Sequence, residues 1–146
     1  MNRSRFLVTS EPSVPHEIRV RINSDFDIIT ARQKGRELAN GLGFGATDST
    51  LIATAISELA RNIVVYARKG EIVLQSIEHS DPAGILVVAF DEGPGIPDVG
   101  QALHDGYSTS GSLGLGLPGV RRLMDEFEII SEIGRGTTVT AKKWIR

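Results

Sequence analysis

Ser57-Glu58-Leu59-Ala60-Arg61-Asn62 is the stretch from which the rest of the chain can be read. It lies in a run that starts at Thr47 or Asp48, side chains that can accept hydrogen bonds from a first helical turn. The periodicity predicts a helix from there to about Arg68. Ile52, Ile56, Leu59, Ile63 and Tyr66 recur at three- and four-residue spacing and form one stripe, expected to face a sheet. Glu58 and Asn62 stand one turn apart. At about 100° per residue they fall on the flank of that stripe, where a helix lines a cleft between sheet and solvent. A carboxylate there can hold a hydroxyl or a water in line with a terminal phosphate. An amide oxygen can take one corner of a Mg2+ octahedron, because Mg2+ prefers oxygen ligands and keeps several waters. The same two residues also read as a polar pair on a solvated face, and the helix alone does not choose.

Around this helix the chain alternates its periods. His16 to Ile22 sets Ile18, Val20 and Ile22 against Glu17, Arg19 and Arg21, a half-buried strand. Ser24 or Asp25 can cap a helix to about Leu42, broken by Gly41, Gly43 and Gly45. Glu71–Glu78 and Ile85–Phe90 read as strands of a hairpin joined through Ser80 to Gly84. Residues 91–115 are rich in Gly, Ser and Thr, with room for one short helix. Leu117–Glu126 reads as a helix, and Phe127–Ile133 and Thr137–Trp144 as a second hairpin turning at Gly134-Arg135-Gly136. Residues 1–15 read as a polar tail and residues 16–146 as a single domain. The expected fold is an α/β two-layer sandwich, with helices on one face of a mixed, largely antiparallel sheet.

Three further segments carry chemistry. Asp91 ends an apolar strand and opens Asp91-Glu92-Gly93-Pro94-Gly95-Ile96-Pro97. An aspartate at a strand mouth can accept from an exocyclic amine such as that of adenine, and glycines let backbone approach a ligand closely. The composition is equally that of a turn. Gly114-Leu115-Gly116-Leu117-Pro118-Gly119 formally matches GxGxxG, but it follows the polar loop Tyr107-Ser108-Thr109-Ser110 rather than a strand. The dinucleotide reading is therefore rejected. What remains is backbone N–H groups at a helix start, where the dipole favours phosphate, with Ser108, Thr109 and Ser110 adding hydroxyls. The loop before them reads as a lid. Thr137, after the second hairpin turn, can reach a base if its strand passes beneath one.

The bulk numbers narrow the classes. At 146 residues, with 40% hydrophobic and 23% charged residues, the chain can bury a core. A net charge of −2 offers no basic face for nucleic acid. No cysteine is present, which removes disulfides and thiolate metal sites and suits a reducing cytoplasm. His16, His79 and His104 are isolated, against a His-rich metal site. No apolar run approaches the ~18 residues of a membrane span, and the polar start has no signal-peptide core. The expected location is cytoplasmic, with no membrane partner.

The order Glu58…Asn62, Asp91-x-Gly93-x-Gly95, Gly114-x-Gly116 and Gly134-x-Gly136-Thr137 resembles the N, G1, G2 and G3 boxes of the GHKL ATPase superfamily. The resemblance spans about residues 16–145. A stand-alone chain of this size resembles its serine-kinase branch, and in sequence detail the switch kinases of bacterial stress signalling. The anti-sigma kinases often carry His-x-Tyr after the N-box asparagine, and Tyr66 and Arg68 stand there instead. The resemblance implies the Bergerat fold and a serine/threonine kinase using ATP and Mg2+. It implies Glu58 as general base, Asn62 on the metal, Asp91 on the adenine amine, and Gly93, Gly95 and Ile96 beside the nucleotide. Thr109, Ser110, Gly111, Leu113, Gly114, Leu115 and Gly116 would cover the phosphates, Thr137 would contact the base, and Arg61 would touch phosphate or substrate. The implied partners are STAS-domain scaffold and antagonist proteins of a stressosome (RsbS/RsbR-like), then a PP2C-type phosphatase (RsbU-like) that the released kinase activates. The alternative is an anti-sigma factor kinase that sequesters sigma.

Overall fold

The computed structural model describes residues 17–104 and 116–146. β1 (Glu17–Ile22) leads into α1 (Asp25–Leu42), with Ser24 as N-cap in extended backbone. The cap works through Asp27 rather than through the Ser24 side chain: Asp27 Oδ2 accepts the Asn23 N–H at 2.7 Å. Gly43, at φ 103, closes α1 with its N–H on the carbonyls of Ala39 and Asn40. α2 (Ala46–Asn62) starts slightly earlier than expected, with Gly45 as N-cap and the Ser49 N–H on the Gly45 carbonyl.

The expected helix to Arg68 does not continue in α form. Ile63–Ala67 is a π-turn, closed by the Arg68 N–H on the Ile63 carbonyl at 2.7 Å. The wider turn shifts the helical phase. Ile52, Ile56, Leu59 and Ile63 keep the buried stripe, but Tyr66 leaves it and is 46% exposed. The placement of Tyr66 against the sheet is thus corrected: one extra residue in the turn rotates it outward.

β2 (Gly70–Ile77) and β3 (Gly84–Asp91) form the first hairpin, α3 (Val99–Ala102) is a single turn capped by Asp98, and α4 spans Gly116–Leu123. β4 (Glu126–Glu132) and β5 (Gly136–Trp144) form the second hairpin. α4 is shorter than Leu117–Glu126 because Asp125 is already held by the sheet. Its N–H donates to the Lys142 carbonyl and its carboxylate accepts the Trp144 N–H.

The five strands run in the order β1-β2-β3-β5-β4, every neighbouring pair antiparallel. One face carries Val20, Ile22, Ile72, Leu74, Ile85, Val87, Val139 and Ala141, all buried against Ile28, Leu38, Ile52, Ile56, Leu59 and Val120 of the helices. The other face is polar at its margins, with Arg19, Val73, Val88, Thr140 and Glu128 aligned across the strands in one row. This two-layer arrangement, driven by removal of one apolar sheet face from water, sets the end of α2 beside the end of β3. Ile63 reaches Gly70, the partner of Asp91.

Candidate functional site

The C-terminal half of α2 supplies the first groups. Glu58 is 7% exposed although charged, because it sits beside the buried stripe at the start of α4. Its Oε1 accepts the Gly116 N–H at 3.2 Å. A buried carboxylate needs such a donor, and the first N–H of a helix has no partner within its own helix. Asn62 ends α2 half-buried, and Arg61 beside it is half-buried as well. The π-turn then swings Ala67 against the loop after β3, where a Cβ on Gly93 would stand 2.6 Å from the Ala67 Cβ.

Asp91 holds the opposite side. In the sheet it lies between Gly70 of β2 and Thr137 of β5. Its Oδ1 accepts the Gly93 N–H at 2.8 Å, and the Thr137 backbone N–H also donates to the carboxylate. Burial pushes the Asp91 carboxyl above the usual aspartate value, and these two donors pull the other way without cancelling it. Among the described residues no cationic side chain pairs with it. Asp91 therefore keeps lone pairs for an incoming donor.

The loop from Asp91 to Pro97 is stitched to the β4–β5 hairpin. The Gly134 N–H donates to the Pro94 carbonyl at 2.9 Å, and the Ile96 N–H to Ser131 Oγ at 2.7 Å. Gly95 has φ 82, and a Cβ there would lie 2.5 Å from the Glu132 carbonyl oxygen. Gly136 has φ 124, and its Cβ would lie 2.0 Å from the Asp91 carbonyl oxygen. Both the left-handed backbone and the contact require glycine at these two places. Ser131 Oγ and Thr137 Oγ1 are 2.8 Å apart, so the Thr137 hydroxyl joins the same network.

The structure thus brings Glu58, Asn62 and Gly116 together on the helix side, and Asp91, Gly93, Gly95, Ile96 and Thr137 together at the sheet end. Arg61 lies on α2 beside the first group. Thr109, Ser110, Gly111, Leu113, Gly114 and Leu115 lie outside the described residues. Sequence reasoning missed Gly70 and Ser131 as parts of the site. Ser131 had a visible signal: in β4 it occupies the inward phase that Phe127 and Ile129 fill with apolar side chains. Gly136 was placed by the resemblance in the fourth box, but its contact with Asp91 was not foreseen, because it joins segments far apart in sequence.

Arg61 and Asn62 supply no protein cage for a metal, and among the described residues no three His, Cys, Asp or Glu side chains cluster as a metal site. One carboxamide beside one carboxylate fits a Mg2+ ion that takes most of its oxygens from phosphates and water.

Residues 47–145 match the family described as histidine kinase-, DNA gyrase B-, and HSP90-like ATPase. The chain therefore has the ATP-binding fold of that class. It is 54% identical over 127 residues to the serine/threonine-protein kinase RsbT of Bacillus subtilis (strain 168), covering 87% of this chain and 96% of that one. The chain belongs to the RsbT family of serine/threonine-protein kinases. It is also 35% identical over 102 residues to the anti-sigma F factor of Geobacillus kaustophilus (strain HTA426), covering 66% of this chain and 69% of that protein. Among solved structures, the RsbU and RsbW domains of Rv1364c from Mycobacterium tuberculosis superpose with TM-score 0.62 at 21% identity. That match covers 89% of this chain and 33% of the larger one. The mycobacterial sensor histidine kinase MprB superposes with TM-score 0.53 at 16% identity, over 90% of this chain and 99% of that one. Both likenesses bear on the fold alone.

Proposed function

We propose that this kinase transfers the terminal phosphoryl group of ATP to a serine or threonine of a STAS-domain protein, and on release binds and activates a PP2C-type phosphatase. The observation that carries the chemistry is Glu58, a buried carboxylate one turn from Asn62 and hydrogen-bonded to the start of α4. Asn62 would hold Mg2+ through its amide oxygen, and the ion would neutralise phosphate charge. Asp91 receives the adenine amine, Gly93, Gly95 and Ile96 line the base, and Thr137 completes the base contacts. Arg61, beside Asn62, contacts phosphate or substrate. Glu58 takes the proton of the substrate hydroxyl as its oxygen bonds to the terminal phosphorus. The bond from that phosphorus to the bridging oxygen breaks, and ADP departs with the electron pair. The Gly116 N–H on Glu58 fixes the carboxylate while this happens.

The STAS and phosphatase partners rest on membership of the RsbT family, supported by coverage of nearly the whole length of that relative. The anti-sigma reading has weaker support, since those relatives match at lower identity over a smaller share. A cytoplasmic location agrees with the absence of cysteine. Among the described residues one helical run, Ala46–Ala67, is long and apolar enough to span a membrane, and it contributes the buried stripe of the core.

The experiment is mass spectrometry of a STAS-domain protein incubated with the kinase and Mg-ATP, in parallel with Glu58→Gln. Phosphate on a serine or threonine should form ~10²–10⁴-fold more slowly with the variant, the usual contribution of a general base. Undiminished transfer by the variant would remove Glu58 from the chemistry. No transfer by the intact protein, with ATP bound, would favour sigma sequestration.

A further inference from the structure

We propose that the turn from Val65 to Lys69 is the docking surface for the protein substrate, and that it takes an acidic segment carrying an apolar side chain. This rests on the reading above in which a protein hydroxyl accepts the phosphoryl group. The π-turn leaves Val65 47% and Tyr66 46% exposed. Ala67 faces Gly93, and Arg68 and Lys69 follow it, both exposed. Among the described residues neither cationic side chain has a hydrogen bond or an ion pair, and Glu92 beside Gly93 pairs with neither.

Arg68 is also strained. Its φ of 74, with ψ −34, makes it the only non-glycine at positive φ among the described residues. Glycine adopts such a backbone readily, and a residue with a Cβ does not. The conformation is imposed from both sides. The Arg68 N–H closes the π-turn on the Ile63 carbonyl, and Gly70 must then enter β2 opposite Asp91. A strained position at the rim of a site, filled by a long unpaired cation, points to a role for the side chain itself.

The place suits a protein substrate. Gly70 and Gly93 border Asp91, so the turn stands at the base end of the proposed nucleotide site. Val65 lies about 10 Å along the helix from Glu58, at a rise of about 1.5 Å per residue. A folded protein whose hydroxyl reaches Glu58 spans that distance. Two unpaired cations beside two exposed apolar side chains complement carboxylates flanking an apolar side chain.

The test is steady-state transfer from Mg-ATP to the STAS-domain protein, with calorimetric binding of that protein to the kinase and with melting curves. Arg68→Glu and Lys69→Glu should each raise the KM for the protein roughly 10-fold, with kcat and the KM for ATP unchanged, and added salt should shrink the effect. Arg68→Lys should keep most of the affinity. Arg68→Gly relieves the backbone, so its melting temperature should hold or rise while the KM for the protein rises about 3- to 10-fold. A residue that served only the turn would not separate stability from KM in this way. A KM for the protein unchanged by Arg68→Glu, Lys69→Glu and Arg68→Gly would overturn the proposal. A raised KM for ATP instead would assign the cations to the nucleotide and overturn it as well. Absence of transfer by the intact kinase would sink the kinase reading separately, and calorimetry would still decide the docking. Binding weakened by Arg68→Glu would uphold it, and binding that is absent or indifferent to the substitution would overturn it.

Discussion

Asp91 and Asp125 lie near opposite ends of β5, and each accepts a backbone N–H across the sheet, Asp91 from Thr137 and Asp125 from Trp144. Their remaining partners differ. Asp125 is also paired with Lys143 at 3.8 Å and with Arg146, and Lys143 Nζ donates to the Leu123 carbonyl at the end of α4. Its side chain is 17% exposed and that of Lys143 8%, so the pair is a clamp between helix and sheet. Asp91 has no such cation among the described residues, and burial raises its proton affinity. A carboxylate whose acceptor sites are filled by cations holds a fold together. One left partly unfilled at a site that glycines keep clear is ready for a ligand.

The comparison can be broken in order of expected effect. Asp125→Ala leaves Lys143 buried without its anion and should destabilise the protein by about 3–5 kcal/mol, read by denaturant unfolding. Its ATP affinity, measured where the variant is folded, should stay within a few-fold of the parent. A large loss of affinity would mean that the two ends are not separate in role. Gly136→Ala places a Cβ on the Asp91 carbonyl in a left-handed backbone and should cost about 2–4 kcal/mol of stability. Gly134→Ala, with φ 83 and open space around it, should cost about 1 kcal/mol. Similar costs at the two glycines would show that φ, not the contact, sets the requirement at Gly136.

Asp91→Asn should do the reverse of Asp125→Ala. It should weaken ATP binding by roughly 10- to 100-fold, the value of a hydrogen bond to a charged group. Thermal stability should hold or rise, because a buried charge is removed while an oxygen remains for the Gly93 N–H. The sign with pH follows. A carboxyl whose folded value is raised favours folding most below its unfolded value, and that contribution is lost as pH rises through the folded value. With Asp91 in its proposed role on the adenine amine, ATP binding needs the ionised form. Lowering the pH toward that raised value should therefore weaken ATP while slightly relieving the cost of burying Asp91. Calorimetry and melting curves at matched pH values read both, and a pH-independent affinity in Asp91→Asn would tie the effect to this residue.

The fold was legible because its periods are long and clean. Val20 and Ile22 alternate, the stripe from Ile52 to Ile63 is regular, and both hairpins end at Gly or Pro. The boundaries that moved did so for tertiary reasons: Asp125 is captured by β5 before α4 can extend, and Tyr66 is turned out by a π-turn that no residue type announces. At the site, Glu58, Asn62 and Asp91 were visible from type and spacing. Ser131 and Gly70 were not, nor was the contact of Gly136 with Asp91, since these are contacts across strands, and register is invisible until the strands are paired.

The π-turn of Ile63–Ala67 has a consequence best stated in terms of phase. A helix advances its side chains by about 100° per residue and a strand by about 180°, so a chain leaving one for the other must enter at a defined angle. The extra residue in the turn supplies that adjustment between Asn62 and Gly70. Deleting one residue there would leave Glu58 and Asn62 where they are but move β2 by one position. Its alternation would then invert, sending Ile72 and Leu74 to the open face and placing a side chain, in place of Gly70, against Asp91.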